Sequence, residues 1–147
     1  ASGSSTTFLG WQPDEVIRDH YRRCRALLFP GEEDFGIVPV EALGCGSPVI
    51  ALRRGGAAET VPEACGRLYD APTTAALIGA IDAWEGEGRP HDPAQARARA
   101  ESFALPVFRR RLLGVLADAV GTRGRHAGVP RPHIAAPGVV ERRRRDG

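Results

Sequence analysis

Short apolar runs alternate with helical patterns over the first 70 residues, and this alternation is the feature that most limits the folds open to the chain. The segments between the runs place apolar residues at helical spacing, whereas the runs have the length of strands. One run, Ala26–Phe29, is apolar at every position, which suits a strand covered on both faces of a parallel sheet. Strands joined by helices through short loops build βαβ units. We therefore expect an α/β protein with a Rossmann-like open parallel sheet flanked by helices.

The same patterns predict the individual elements and the domain boundaries. The expected strands are Thr6–Leu9, Ala26–Phe29, Pro48–Leu52 and Arg67–Tyr69. The expected helices are Pro13–Cys24, Val38–Gly44, Ala57–Val61, Thr73–Trp84, Pro93–Phe103 and Leu105–Val120, the last with core positions at Val107, Phe108, Leu112, Val115 and Leu116. From Gly121 the composition changes to Gly, Pro and Arg, which predicts disorder. We expect one α/β domain at residues 1–120 and a basic disordered tail at residues 121–147.

The charge of the chain is distributed unevenly between these two parts. Residues 1–120 hold 13 Arg against 16 acidic residues, whereas residues 121–147 hold 7 Arg against 2 acidic residues. The run Arg142–Arg145 could contact RNA, DNA or anionic lipid. A solvated charge run is the favoured interpretation because no aromatic residues interleave with it. We expect no specific nucleic-acid partner and at most a weak contact with a membrane surface.

Other features predict a cytoplasmic protein without disulfides. No stretch approaches the ~18 apolar residues of a membrane span, and no segment resembles a signal peptide. Cys24, Cys45 and Cys65 form no C-x-x-C pair and have no neighbouring His, so we interpret them as buried free thiols rather than zinc ligands. The opening ASGSSTT is typical of a linker, which suggests that the chain is a piece of a longer protein.

Three acidic residues, Glu32–Asp34, follow the Ala26–Phe29 run after Pro30 and Gly31, at the carboxyl edge of the sheet where ligands of parallel sheets bind. Pro39 belongs in a first helical turn, so the amides of residues 35–38 are free to hold an anion or a hydroxyl, and Gly36 permits close approach. A second glycine-containing loop with free amides, residues 53–56, leads from the next strand into a helical turn. Carboxylates repel a diphosphate but accept hydrogen bonds from a vicinal diol. The loop therefore predicts a ligand that carries both a diphosphate and sugar hydroxyls.

The segment Glu33–Glu41, EDFGIVPVE, resembles the E-x7-E signature of retaining GT-B glycosyltransferases of the group 1, or family 4, type. The following ALGCGSPVIA and the later GGAAETV match the same family in order and spacing. Phe8-Leu9-Gly10 followed by Asp14-Glu15 matches its earlier strand and helix. The resemblance covers about residues 6–120 and implies the C-terminal, donor-binding domain of a two-domain enzyme.

The resemblance implies specific roles. Glu33 would face the donor sugar as the catalytic residue. The other implied donor contacts are the backbone amides of Phe35, Gly36, Ile37 and Val38, the carboxylate of Glu41 on the ribose, and Gly10, Trp11 and Gln12 beside the nucleobase. The donor would be a nucleotide-diphospho-sugar, with GDP-mannose suggested by the likeness of EDFGIVPVEA to mannosyltransferases. No obligatory metal or other cofactor is implied.

Two features of the family fall outside this chain. Its basic pair for the donor diphosphate, usually Arg and Lys, lies upstream, and the chain contains no Lys. Its N-terminal acceptor-binding domain is absent as well. Without that domain the transition state loses orientation and electrostatic stabilisation, so we expect the isolated chain to bind nucleotide weakly and to transfer no sugar.

Two alternatives remain open at this point. A sugar-nucleotide epimerase of the GT-B type would share the nucleotide crevice, although no His or carboxylate set supplies its acid and base. A non-catalytic module would use the sheet only to support a basic tail that binds nucleic acid or membrane.

Deleting residues 121–147 separates the enzyme from the tail-driven module. We expect the shortened chain to keep its nucleotide affinity, measured by isothermal titration, because the predicted site lies in the sheet. A tail-driven binder would instead lose its partner on truncation and show a steep salt dependence before it.

Overall fold

The structure is a computed structural model that describes residues 5–125, apart from the side chains of residues 122–125. The chain divides into two units, Ala1–Arg109 and Arg110–Gly147. The strands are Leu27–Phe29 (β1), Val49–Leu52 (β2) and Gly66–Tyr69 (β3). The helices are Asp14–Arg23 (α1), Ile37–Gly44 (α2), Gly55–Thr60 (α3), Thr74–Gly86 (α4), Pro93–Glu101 (α5) and Leu105–Arg125 (α6), with a 3-10 turn at Glu63–Cys65.

The three strands form one parallel sheet in the order β1-β2-β3. In this register Val49 stands beside Leu27 on one side and Gly66 on the other. All four residues of β2 are buried, because β2 is the central strand and is covered on both faces. The alternation of strands and helices confirms the α/β, Rossmann-like architecture.

Alternate residues of β2 enter two separate cores, as the twofold period of a strand requires. Val49 and Ala51 pack against residues of α2, α3 and α5 on one face, whereas Ile50 and Leu52 pack against α4 on the other. Trp84 of α4 is the largest fully buried side chain. The first unit therefore has three layers, with helices on both faces of the sheet.

Capping residues fix the ends of the later helices. Thr73 accepts a hydrogen bond from the amide of Ala76 at 3.2 Å, so the hydroxyl caps α4. Gly88 ends α4 with φ +82°, and its amide bonds the carbonyl of Glu85 at 3.0 Å, in a Schellman motif. Asp92 caps α5, and hydrogen bonds from Gln95 and from the amide of Ala94 lower the pKa of its carboxyl group.

The first predicted strand, Thr6–Leu9, is wrong. This segment has no regular secondary structure, and Phe8 is 85% exposed. A strand needs a hydrogen-bonding neighbour, and no strand of the described residues pairs with this segment. The expectation that β1 is covered on both faces is also wrong at Leu28, which is exposed because β1 is an edge strand.

The core positions expected in the last helix are wrong for four of five residues. Phe108, Leu112, Val115 and Leu116 are exposed, and only Val107 is half-buried. Helical spacing of apolar residues defines a face but does not supply a partner for it. The helix itself continues to Arg125, and the rest of the tail predicted to be disordered, residues 126–147, lies outside the described residues.

The free-thiol interpretation of the cysteines is confirmed, but full burial holds for Cys65 alone. Cys24 and Cys45 are half-buried. Across the part of the chain that the structure describes, no helix is both long enough and apolar enough for a membrane span.

Gly66 offers a direct test of strand packing. Its φ of +155° is a conformation that glycine alone adopts readily, and a Cβ there would lie 1.9 Å from the carbonyl oxygen of Val49. We expect Gly66→Ala to lower the free energy of unfolding by about 2–4 kcal/mol, measured by urea denaturation. Gly79→Ala is the matched control, because Gly79 is helical with open space around it, and it should raise stability by about 0.5–1 kcal/mol. Equal stabilities of the two variants would contradict the described packing.

Candidate functional site

The carboxyl ends of the three parallel strands meet at one edge of the sheet. Each strand there leads through a short loop into a helix N-terminus: β1 through residues 30–36 into α2, β2 through residues 53–54 into α3, and β3 through residues 70–73 into α4. Ligands of open α/β sheets bind at this edge. The acidic loop and the second glycine-containing loop lie at this common edge, as the sequence predicts.

The first two of these loops are in direct backbone contact. The amide of Gly56 donates a hydrogen bond to the carbonyl oxygen of Glu33 at 2.8 Å. A Cβ at Gly55 would lie 2.2 Å from that oxygen, and one at Gly56 would lie 2.1 Å from the carbonyl oxygen of Phe35. Both glycines are therefore needed for the approach of two backbones. The acidic loop is fixed on the N-terminus of α3.

The N-terminus of α2 begins on a left-handed glycine. Gly36 has φ +73° and is the N-cap residue, and no side chain caps the helix. Pro39 is the third residue of α2 and is fully buried, so it occupies the first turn as predicted. A Cβ at Gly36 would meet neighbours only beyond 3.4 Å, so dihedral angle rather than space selects glycine here. The amides of Ile37 and Val38 remain without a side-chain cap, which favours an anion or a hydroxyl at this end.

An aromatic contact holds the tip of the acidic loop. The ring of Phe35 meets the ring of Phe103 edge to face, with 5.5 Å between centroids. The guanidinium of Arg99 lies 4.7 Å from the centroid of Phe103 and donates to the backbone carbonyls of Thr60 and Glu59. Sequence reasoning missed Phe103 and Arg99, because they lie about 65 residues beyond the loop in sequence.

The charges at this edge are exposed. Arg54 lies 3.8 Å from Glu32, and Arg53 lies 2.8 Å from Asp70. Such exposed pairs contribute about 0–1 kcal/mol each, so they break easily when a charged ligand arrives. The carboxylate of Glu33 is exposed and forms no hydrogen bond or ion pair with any described residue. Its two oxygens are free to accept hydrogen bonds.

Glu41 lies in a groove of about 280 Å³ between α1 and α2. The other residues that line it are Asp14, Ile17, Arg18, Tyr21 and Cys45. The hydroxyl of Tyr21 lies 3.4 Å from a carboxylate oxygen of Glu41, at the outer limit of a hydrogen bond. Burial raises the pKa of the Tyr21 hydroxyl, and the nearby Glu41 carboxylate raises it further.

The sequence model of the family glycosyl transferases group 1 matches residues 3–102. The chain belongs to this family. A D-inositol 3-phosphate glycosyltransferase of Acidothermus cellulolyticus is 33% identical over 120 residues, and the match covers 76% of this chain and 25% of that protein. The sequence resemblance to a group 1 glycosyltransferase is therefore confirmed.

Solved structures of several proteins share the fold of this family member. Sucrose-phosphate synthase of Thermosynechococcus elongatus has a TM-score of 0.65 at 26% identity, covering 79% of this chain and 30% of that one. HepE (Alr3699) of Anabaena in complex with UDP has a TM-score of 0.56 at 28% identity over 67% of this chain and 29% of HepE. HepE with UDP and glucose has a TM-score of 0.52 at 29% identity over 64% of this chain and 27% of HepE. The group 1 chain thus spans less than a third of each relative.

The structure places the predicted site residues of this family member in three groups. Phe35, Gly36, Ile37 and Val38 lie together at the start of α2, directly after Glu33. Glu41 lies one turn further along α2 in the α1–α2 groove, which Glu33 does not line. Gly10, Trp11 and Gln12 precede α1, where Gln12 donates to the carbonyl of Leu9 at 2.7 Å and the Trp11 ring is 87% exposed.

Sequence reasoning missed the position of Tyr21 beside Glu41. The βαβ pattern could have predicted this contact, because consecutive helices on one face of a sheet, here α1 and α2, become neighbours. Within residues 5–125, no group of three or more His, Cys, Asp or Glu side chains is arranged to hold a metal ion.

The Tyr21 hydroxyl reports on the Glu41 groove. The unfolded chain releases this proton before the folded chain does, because the folded pKa is raised, so stability falls as the pH rises above about 10. In Glu41→Gln we expect the pKa of Tyr21 to fall toward its ordinary value while remaining raised by burial, its larger cause. An ultraviolet pH titration in a Tyr69→Phe background measures this, since the chain has 2 tyrosines. An unchanged titration curve would show that the two side chains are not neighbours.

Proposed function

We propose that this chain is the donor-binding part of a retaining glycosyltransferase that takes a hexosyl group from a nucleotide-diphospho-sugar. One observation supports this most strongly: the acidic loop that leads into the uncapped N-terminus of α2 is hydrogen-bonded to the Gly55–Gly56 backbone, with Glu33 before the helix and Glu41 one turn into it. Membership of the group 1 family supplies the class of reaction. A hydroxyl-rich anion is the ligand that suits both features.

The diphosphate of the donor would bind at the start of α2. The amides of Ile37 and Val38 and the positive end of the helix dipole favour negative charge there. Arg54 is held only by an exposed pair with Glu32 at 3.8 Å, so it can turn toward a diphosphate at little cost. These groups would stabilise charge that develops on the leaving diphosphate.

The sugar and the nucleoside would bind on either side of the diphosphate. The carboxylate of Glu33, free of protein partners among the described residues, would accept hydrogen bonds from hydroxyls of the transferred sugar. Glu41 would accept them from the ribose in the α1–α2 groove, beside Tyr21. Gly10, Trp11 and Gln12 would flank the base, where the exposed Trp11 ring offers a stacking surface.

Transfer would proceed with retention at the sugar carbon. The leaving diphosphate would take the proton of the acceptor hydroxyl on the same face of the sugar, and Glu33 would hold the sugar near the reacting carbon. The protein groups above would neutralise the diphosphate, so the proposal includes no obligatory metal ion.

The identity of the donor is a narrower question. The two HepE complexes contain UDP, one of them with glucose, which makes UDP-glucose the first donor to test. GDP-mannose is the second, because the segment EDFGIVPVEA resembles mannosyltransferases. Since the chain spans 25% of its glycosyltransferase relative, the acceptor domain would come from the rest of the protein. We place this protein in the cytoplasm, with at most peripheral contact with a membrane.

Two glutamate variants separate the proposed subsites in isothermal titrations of this chain. Glu41→Gln should weaken UDP and UDP-glucose equally, by about 1–3 kcal/mol, because its hydrogen bonds are to the ribose. Glu33→Gln should weaken UDP-glucose by a similar amount but leave UDP unchanged, because its partner is the sugar. Glu101→Gln removes an exposed carboxylate on α5 and serves as the matched control.

The same titrations can contradict the proposal. Equal loss in the Glu101→Gln control, or no binding of UDP, GDP or their sugars to the wild-type chain, would remove the donor-site assignment. A transfer assay on the isolated chain should show no product, and sustained turnover would show that no acceptor domain is needed.

A further inference from the structure

A second cavity, of about 380 Å³, opens at the amino-terminal edge of the same sheet. Arg25 and Pro48 line it and lie just before β1 and β2, whereas the proposed donor site follows the carboxyl ends of these strands. The length of the strands, about 10–13 Å, separates the two edges. The buried ring of Trp84 contributes to its wall.

Arginines dominate the lining of this cavity. Arg22 of α1, Arg25 of the α1–β1 loop, Arg89 of the α4–α5 loop and Arg97 of α5 all line it, together with His91, and no carboxylate does. Arg25 pairs with Glu85 of α4, whereas the other three arginines form no ion pair with any residue of the described segment. The fold thus brings four positive charges together from four different elements.

Helix dipoles balance part of this charge. The C-termini of α1, α2 and α4 all point toward this edge, and each carries roughly −0.5 elementary charge. With Glu85 they offset about 2.5 of the four positive charges. The N-terminus of α5, whose Pro93 lines the cavity, adds about 0.5 positive charge, and the carboxylate of its cap Asp92 adds one negative charge beside it. An excess of about one positive charge remains.

Local structure constrains the backbone at Arg89 and places the Arg97 side chain against Gly46. Arg89 is the one non-glycine residue of the described segment with positive φ, at +61°, and the indole N–H of Trp84 bonds the carbonyl of Pro90 at 3.4 Å. The Arg97 guanidinium lies directly over Gly46, where a Cβ would stand 2.7 Å from Nη2. An arginine that only extends into solvent would need neither a left-handed backbone nor a contact with Gly46.

We propose that this cavity is a binding site for a phosphate-bearing anion, either a phosphomonoester or a diphosphate, held by the guanidinium groups of Arg22, Arg89 and Arg97. A phosphoryl group carries about −1.5 to −2 charges, which is enough to neutralise this excess. Guanidinium groups bind phosphate oxygens in pairs of hydrogen bonds. The phosphate belongs to a soluble metabolite or to the headgroup of an anionic lipid. This inference does not depend on the proposed donor site, because neither Glu33 nor Glu41 lines the cavity.

Inorganic pyrophosphate is the first probe, titrated calorimetrically into the whole chain. R89Q/R97Q should weaken its binding by about tenfold or more, because two charge-assisted contacts are lost. R109Q/R111Q removes the same charge from exposed positions on α6 and should change affinity by less than about twofold. An unchanged circular dichroism spectrum and an unchanged urea denaturation midpoint of R89Q/R97Q show that the variant is folded.

Cys24 gives a second readout that needs no variant. Its half-buried thiol lines this cavity and not the α1–α2 groove, so bound pyrophosphate should slow its alkylation by iodoacetamide, followed by mass spectrometry. The buried thiol of Cys65 is the internal reference. Binding of pyrophosphate at the donor edge would leave Cys24 unprotected.

Vesicles of phosphatidylcholine, with and without phosphatidic acid, distinguish the two sources of phosphate. If only vesicles with phosphatidic acid bind the protein, and R89Q/R97Q loses this binding, the phosphate belongs to a lipid headgroup. If the protein binds pyrophosphate but neither kind of vesicle, the phosphate belongs to a soluble ligand. Three results would each overturn the proposal: an unchanged affinity of R89Q/R97Q for pyrophosphate, an equal loss of that affinity in R109Q/R111Q, or alkylation of Cys24 that pyrophosphate does not slow.

Discussion

The contact between two backbones at the carboxyl edge of the sheet determines the geometry of everything around it. Gly56 donates its amide to the carbonyl of Glu33, and neither Gly55 nor Gly56 has room for a Cβ. This approach joins the loop after β1 to the helix after β2, which ties the acidic loop to the segment that follows the central strand. The uncapped N-terminus of α2 and the Phe35 ring are consequently held at one fixed edge.

Both edges of the sheet follow from the polarity of parallel βαβ units. Helix N-termini lie at the carboxyl edge, where their free amides favour anionic groups. The carboxylates near this edge can accept hydrogen bonds from the neutral hydroxyls of a ligand. Helix C-termini gather at the amino-terminal edge, where they favour cations, and Arg22, Arg25, Arg89 and Arg97 are found there. The four arginines carry more positive charge than the helix C-termini, Glu85 and Asp92 offset, and this excess is the basis of the proposed anion site.

Local patterns predicted the fold well wherever a segment supplies its own partners. The predicted strand Pro48–Leu52 and helix Thr73–Trp84 correspond to β2 and α4, and in the structure β2 is buried at every position and Thr73 caps its own helix. Prediction was wrong where a partner lies elsewhere: Thr6–Leu9 has no neighbouring strand, and the apolar face of α6 remains exposed. The start of α2 was predicted from Pro39. The contact of Phe35 with Phe103 was not predicted, because two aromatic residues far apart in sequence show no periodic spacing.

The sequence by itself determined the α/β class, the alternation of strands and helices from residue 13 onward, the family and the residues that form the acidic loop, because apolar runs, helical spacing and the E-x7-E motif are local properties. The tertiary structure alone decided that Glu41 shares a groove with Tyr21 while Glu33 does not line it. It alone also brought arginines from four separate elements into one cavity. Such groupings depend on how parallel strands align their ends, which no single segment of the chain encodes.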